Sequence, residues 1–307
     1  MKVAVVHDSK TNSEEMEMVE AVSKALSSKY DTSIIEFKND FMDKITEYDF
    51  VFNLSTHGGS ETRQVCVPAV LDMLSIPYTS SNVYSHSVCM NKKVTKLVLN
   101  NAGVPVPKTF DSENYEKGTR FMVKPSMEGS AKGISKDSVV EGKENIETVI
   151  KKIEREFNQP AVAEEFIEGK ELSVGLIGNG DKIEILPILE IDFSGLPNGM
   201  EKFYSFRVKH NYGKMTKYIC PAHITKEAKR NIENYAKIAF KNLNLRDYAR
   251  MDIRLKNNTP YFIEVNSMPQ LVPVYSDIVK MGEAAGYSYN DFILKIINIS
   301  MKRWGLK

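Results

Sequence analysis

Two stretches near the C-terminus, YARMDIRL (248–255) and YFIEVN (261–266), alternate along their length and are separated by little more than KNNT. A period of two is strand geometry, with successive side chains on opposite faces. The first stretch then puts Ala249, Met251, Ile253 and Leu255 on one face and Arg250, Asp252 and Arg254 on the other. The second groups Phe262, Glu264 and Asn266 against Tyr261, Ile263 and Val265. KNNT is a natural tight turn, so the two pair as a hairpin that brings Asp252, Glu264 and Asn266 onto one patch beside Arg250. Two carboxylates and an amide oxygen are hard ligands suited to Mg2+ that also holds phosphate oxygens; a salt-bridged, solvated hairpin face is the bland reading of the same residues.

The N-terminal region sets the fold class. KVAVVH reads as a short buried strand and residues 13–28 as a helix with Ser13 as its cap; strands follow at DTSIIEF and DFVFNLS. Strand, helix, strand, strand is how an open parallel sheet begins, and THGGSE sits where such sheets bind ligands. A helix at 65–74 and IPYTSS close a first lobe near residue 85. Residues 86–107 read as one helix ended by Gly103 and two prolines. Strands then dominate (RFMVKPS, PAVAEEFI, ELSVGLIG, KIEILPILEI), and a long connection at 192–216 has the length of a functional lid. Helices at 226–243 and 289–301 frame the hairpin. The expected lobes are 1–85, 86–170 and 171–307.

Lys plus Arg number 41 against 40 Asp plus Glu, which leaves no net field to draw nucleic acid or an anionic membrane. Cys66, Cys89 and Cys220 are too few and too scattered for a disulfide framework or a cysteine metal site, so a reducing cytoplasm is expected. The first residues hold too short an apolar run for a signal peptide, and no segment has the unbroken apolar length of a membrane span. An anionic ligand must therefore be held by a local site. VKPSMEGSAKGIS supplies one: Gly129 and Gly133 let backbone N–H groups approach phosphates, with Lys124 as a point charge. AEEFIEGKELSV adds a strand end beside apolar side chains, which suits a purine, and a carboxylate within reach of ribose.

Taken in order, THGG, CMNK, VKPSMEGSAKGIS, AEEFIEGKELSV, FYSFRVKH, YICPA, ARMD and IEVNSMPQ resemble an ATP-grasp carboxylate-amine ligase, most closely the D-alanine:D-alanine ligases, over nearly the whole chain. The resemblance implies an α/β ATP-grasp fold: an N-terminal Rossmann-like open parallel-sheet lobe, with central and C-terminal lobes clamping ATP. It implies that Lys92 and Lys124 touch ATP phosphates and that Glu128, Gly129, Ser130 and Gly133 belong to a flap above them. Glu164, Glu165, Phe166 and Ile167 would read adenine, Glu171 ribose, and Lys209 would descend onto the transferring phosphoryl group. Asp252, Glu264 and Asn266 would hold Mg2+, or Mn2+ in its place, and Arg250 would stabilise an oxyanion with Ser130 nearby. The substrate group would include His57, His210, Gln270, Leu271, Tyr275, Ser276 and either Glu14 or Glu15. The substrates would be small amino acids, and the family tendency is a homodimer.

Three places depart from the family pattern. HDSKTNSEEME lacks the usual glycine pair, Pro269 is followed by Gln270 rather than glycine, and His210 stands where a tyrosine is common. D-alanine twice is the expected pair. The alternatives are a related ligase with a different amino-acid, peptide or hydroxy-acid pair, and a nucleotide-binding regulator that no longer ligates.

Overall fold

The computed structural model describes residues 1–9, 11–56 and 63–306. Strands β1 (Lys2–Asp8), β2 (Asp31–Phe37) and β3 (Phe50–Asn53) form a parallel sheet in the order β2-β1-β3. Both faces are covered, as the apolar runs require. Val3 and Val5 pack with Val19, Val22 and Leu26 of helix α1 (Ser13–Leu26), while Ala4 and Val6 meet Phe41 and Ile45 of α2 (Phe41–Ile45) and Leu71 of α3 (Cys66–Leu74). The cap of α1 is Asn12, not Ser13: its side chain accepts the Glu15 N–H at 2.9 Å and the Glu15 carboxylate accepts that of Asn12 at 3.0 Å.

The helix expected over 86–107 is two helices, α4 (Val83–Met90) and α5 (Lys92–Asn101). Extended backbone at Asn91 breaks them, and its side chain accepts the N–H groups of Lys93 and Val94, which starts α5 with Lys92 in its first turn.

A second sheet, antiparallel in the order β5-β4-β6, comprises β4 (Arg120–Pro125), β5 (Val139–Glu141) and β6 (Ala161–Glu165). Phe121, Val123 and Ala163 turn toward Ile146 and Ile153 of helix α6 (Lys143–Phe157). The strand-rich reading of this region omits that helix, although its apolar residues recur at helical spacing. With one face covered, Met122 and Lys124 point the other way, into a cleft.

The third sheet contains β7 (Lys170–Asn179), β8 (Lys182–Ile185), β9 (Leu189–Asp192), β10 (Lys217–Ile219), β11 (Asp247–Lys256) and β12 (Thr259–Asn266), in the order β10-β9-β7-β11-β12 with β8 on β7. KIEILPILEI is therefore two strands, parted around Pro187. Between β9 and β10 lies α7 (Phe206–Asn211); α8 (Lys226–Asn242), α9 (Asp277–Ala284) and α10 (Tyr289–Arg303) follow. Helix α8 covers one face of the sheet with Ile232, Ala236 and Phe240, against Val174, Met251 and Ile253; Cys89 and Leu99 from α4 and α5 join this core. Helix α10 inserts Phe292, Ile293 and Ile297 beside Val19 and Phe52, so the first and third sheets share a core. Asp247, fully buried, fixes the same junction: Arg303 donates to both its oxygens (2.9 and 2.8 Å) and to the Tyr78 carbonyl (2.8 Å).

Strands β11 and β12 form the expected hairpin. Asn257 and Asn258 both take positive φ (49° and 63°), as a two-residue turn matched to strand twist demands. The face assignment of β12 needs correction. Asp252 pairs with Glu264 but Ile253 pairs with Phe262, so Ile263 is an extra, unpaired residue in a β-bulge. The bulge resets the alternation: Phe262 and Val265 both enter the core, and Glu264 and Asn266 line the cleft without Phe262.

Candidate active site

The second and third sheets face each other across a cavity of about 650 Å³. From the third sheet, Glu171 and Ser173 on β7, Arg250, Asp252 and Arg254 on β11, and Glu264 and Asn266 on β12 project into it, because their neighbours are held in the α8 core. From the opposite side come Lys92, Lys124 and Glu164.

Two charge clusters organise the cleft. In the first, the Lys124 ammonium lies 2.6 Å from Glu164, which also pairs with Lys96; Lys92 lies 3.1 Å from Glu264 and donates to the Glu128 carbonyl. Burial, then the neighbouring Lys92 charge, pushes Lys124 down to about 7. Burial, with Lys124 and Lys92 beside it, likewise lowers Lys96. Burial alone would raise Glu264, but Lys92 and Lys124 outweigh it and hold this carboxyl at about 2. Three lysines face two carboxylates here, and burial disfavours the charged forms of Lys124 and Lys96; a polyphosphate bound beside them would favour those charged forms.

In the second cluster, Arg250 donates to both oxygens of Asp252, at 2.9 Å from Nε and 2.8 Å from Nη2, with Asp277 3.5 Å from Nη1. Ser173 Oγ (2.7 Å) and Asn266 Nδ2 (3.1 Å) also donate to Asp252. Burial would lower the Arg250 pKa, but Asp252 and Asp277 raise it well above the ordinary value. Among the described residues no three His, Cys, Asp or Glu converge as a metal cage. The set here is two facing carboxylates and an amide, whose hard oxygens suit a divalent cation that takes its remaining ligands from phosphate.

The loop after β4 is a backbone cradle. Ser130 and Ala131 take left-handed conformations, and turns close from Lys132 N–H to Gly129 and from Ile134 N–H to Ala131 (3.1 and 3.0 Å). Gly133, at φ 74°, allows no side chain, since a Cβ would fall 2.6 Å from Pro125 Cγ. Gln159 anchors the loop, accepting the Met127 N–H (2.7 Å) and donating to Glu128 (3.1 Å).

At the other end, the Glu164 side chain is committed to Lys124 and Lys96, so any polar contact to a ligand here falls to the backbone after it. The N–H groups of Glu165 and Phe166 are taken by Lys108 and Arg120 carbonyls (2.8 Å each), while Ile167 N–H has no intramolecular acceptor among the described residues. The Phe166 ring has the guanidinium groups of Arg120 and Arg254 5.3 and 5.7 Å from its centroid and meets Phe203 edge-on at 5.6 Å. Glu171 pairs with Arg254 at 3.0 Å; burial raises its pKa against that pull.

The 192–216 connection has more structure than a bare lid. Ser205 caps α7, and Phe193, Val208 and Tyr204 form a small core of their own. Phe206 N–H donates to the Ile134 carbonyl (2.9 Å), tying α7 to the cradle. Lys209 projects into the cleft, where burial and then Arg250 lower its pKa. His210 is exposed at the rim, its ring 4.3 Å from that of Phe206 and tilted 40° to it.

The remaining expected residues divide. Gln270, Tyr275 and Ser276 line the cavity, the Ser276 hydroxyl accepting the Val272 N–H at 2.9 Å. Leu271 does not: it is buried in the core shared with the first sheet, its carbonyl accepting from Tyr289 at 2.9 Å. Glu14 and Glu15 both border the cavity, but Glu15 closes the capping box. Glu14 carries its charge toward Tyr275, whose phenol is pushed up by burial first and Glu14 next. His57 lies outside the described residues, as does most of THGG.

Sequence reasoning missed Lys96, Ser173 and Asp277 as site residues. Lys96 follows Lys92 by one helical turn and Ser173 shares a strand face with Glu171, so both left a periodic signal. Asp277 left none, because the chain between β12 and α9 is irregular, with Val274 at φ 64°.

The family described as "D-ala D-ala ligase C-terminus" matches residues 100–298. A D-alanine–D-alanine ligase of Nitrosospira multiformis is 32% identical over 76% of this chain and 74% of its own length. One of Carboxydothermus hydrogenoformans is 27% identical over 98% and 99%. The crystal structure of the D-alanine–D-alanine ligase from Bacillus anthracis complexed with ATP matches the fold with a TM-score of 0.77 at 23% identity, covering 99% of this chain and 98% of that one.

Proposed function

This chain belongs to the D-alanine–D-alanine ligase family, ATP-dependent carboxylate-amine ligases with the ATP-grasp fold, and from that premise we propose that it joins two molecules of D-alanine through an acyl phosphate. One observation carries the reading: cationic and acidic groups of opposite sheets, Lys92 and Lys124 against Asp252, Glu264 and Arg250, converge on one cavity roomy enough for nucleotide and substrate.

A carboxylate yields to an amine only after one of its oxygens becomes a good leaving group. Its attack on the γ-phosphorus of ATP makes the acyl phosphate and releases ADP; the amine then attacks the acyl carbon and phosphate departs with the original carboxylate oxygen. Lys92, Lys124 and the N–H groups around Gly129 hold the phosphates, and Lys209 reaches the group in transit from α7. Ile167 N–H reads the adenine edge beside Phe166, and Glu171 the ribose. Asp252, Glu264 and Asn266 would hold Mg2+, or Mn2+ in its place, whose charge would screen the phosphates. Arg250 stabilises the oxyanion of the tetrahedral intermediate. Helix α7 and the cradle, joined through Phe206 and Ile134, exclude water from a hydrolysable intermediate.

We propose a division of the chain near residues 85 and 170, with α4, which spans residue 85, and α5 packed on the third sheet. A reducing, cytoplasmic setting suits Cys66, Cys89 and Cys220, which form no disulfide among the described residues. Gln270, Tyr275 and the capped Glu15 at the amino-acid end favour a second reading, a ligase with a different substrate pair. Phosphate release with ATP and Mg2+ against D- and L-amino acids, singly and in pairs, with products weighed, tests both. Turnover on D-alanine alone supports the first; silence there with turnover on another pair replaces it by the second.

A further inference from the structure

Asp252 accepts four hydrogen bonds: Arg250 Nε and Ser173 Oγ on Oδ1 (2.9 and 2.7 Å), Arg250 Nη2 and Asn266 Nδ2 on Oδ2 (2.8 and 3.1 Å). An ionised carboxylate offers about four lone-pair directions, so this one is full. A divalent cation reaches Asp252 only if a donor leaves. Ser173 and Asn266 are neutral and fixed by the strands beside β11, whereas the Arg250 guanidinium repels a cation directly. Arg250 must therefore yield, and its side chain is only 21% exposed, so without a second anion it would be left charged and largely desolvated.

That second anion is present. Asp277 Oδ2 lies 3.5 Å from Arg250 Nη1, on the edge of the guanidinium that Asp252 does not use. Its position is preset: it opens α9, and Lys280, 3.9 Å away, is itself held by the Tyr275 carbonyl and the rings of Tyr218 and Tyr275 (4.4 and 5.5 Å). We propose that Asp277 is a positioning residue, the second seat of Arg250: the guanidinium passes from Asp252 to Asp277 as a divalent cation takes Asp252, which keeps its charge at the reacting carbon. The proposal rests on the metal reading above and goes beyond it by assigning Asp277 a role.

The test measures Mn2+ retention by the protein with bound ADP, by electron paramagnetic resonance. Without Asp277, Arg250 has Asp252 as its main partner and competes harder with the cation. Asp277→Asn is expected to weaken Mn2+ binding about tenfold, an ordinary size for coupling between sites, while in an Arg250→Met background the same change has less than about a twofold effect. Asp277→Glu, which keeps the carboxylate, restores most of the affinity and shows that the fold tolerates change there. Equal weakening with and without Arg250, or none in Asp277→Asn, overturns the proposal. Asp252→Asn separates the two levels: its retaining Mn2+ like the unaltered protein overturns the metal reading and the proposal with it, whereas its losing Mn2+ while Asp277→Asn does not overturns the proposal alone.

Discussion

Asp252 lies directly across the β11–β12 ladder from Glu264, yet the two carboxylates are held by cations from different elements, Arg250 for one and Lys92 for the other. The pairing brings two negative charges to adjacent positions, which is unfavourable unless cations accompany them. Two carboxylates placed this close offer a divalent cation two charged oxygen ligands at once.

Asp252→Asn and Glu264→Gln are each expected to lower kcat by about 10³-fold or more, with cooperative unfolding retained. Steady-state kinetics beside thermal melts check this. Near-normal kcat in both variants contradicts the metal assignment.

Gly133→Ala tests the cradle. Its Cβ would meet Pro125 at 2.6 Å and Phe157 at 2.9 Å, at φ 74°. A loss of about 1–3 kcal/mol in stability and a KM for ATP raised about tenfold are expected, because the loop must shift to admit the methyl group. Denaturant titration and ATP kinetics report the two effects separately, and an unchanged KM would detach the loop from nucleotide binding.

Much of this was legible in the sequence because it follows period two: the Arg250–Asp252–Arg254 face and the opposed core face of β11 stand as expected. What escaped has physical causes. The bulge at Ile263 depends on pairing with the partner strand, which no single-strand pattern carries. Leu271 was placed by its neighbours in the motif, but an apolar side chain beside a shared core is drawn into it. Asn91 splits a helical run because its side chain caps the next helix, a competition between side chain and backbone that apolar spacing does not record.

Glu264 gives a pH signature. Its folded value of about 2 lies below the ordinary 4.5, so its ion pairs contribute stability that is present above pH 4.5 and is lost as pH falls toward 2. The contribution is on the order of 3 kcal/mol, from the size of the shift. Glu264→Gln should flatten the dependence of unfolding free energy on pH in that window by about one proton. Parallel slopes for variant and unaltered protein would contradict this.

Lys209→Met is expected to lower kcat about 100-fold while leaving the dissociation constant of ATP within about threefold, since the ammonium acts on the group in transfer. Calorimetric ATP binding with single-turnover kinetics separates the two. A variant that loses ATP affinity and turnover in equal measure would make Lys209 a ground-state contact.

The central claim is that this cleft activates a carboxylate by phosphoryl transfer, and oxygen tracing reads that step directly. With the carboxylate oxygens of D-alanine labelled with 18O and turnover run with ATP and Mg2+, each dipeptide formed should be matched by one inorganic phosphate carrying one labelled oxygen. Dipeptide formed with unlabelled phosphate would contradict an acyl phosphate, and with it the account of how these residues work together.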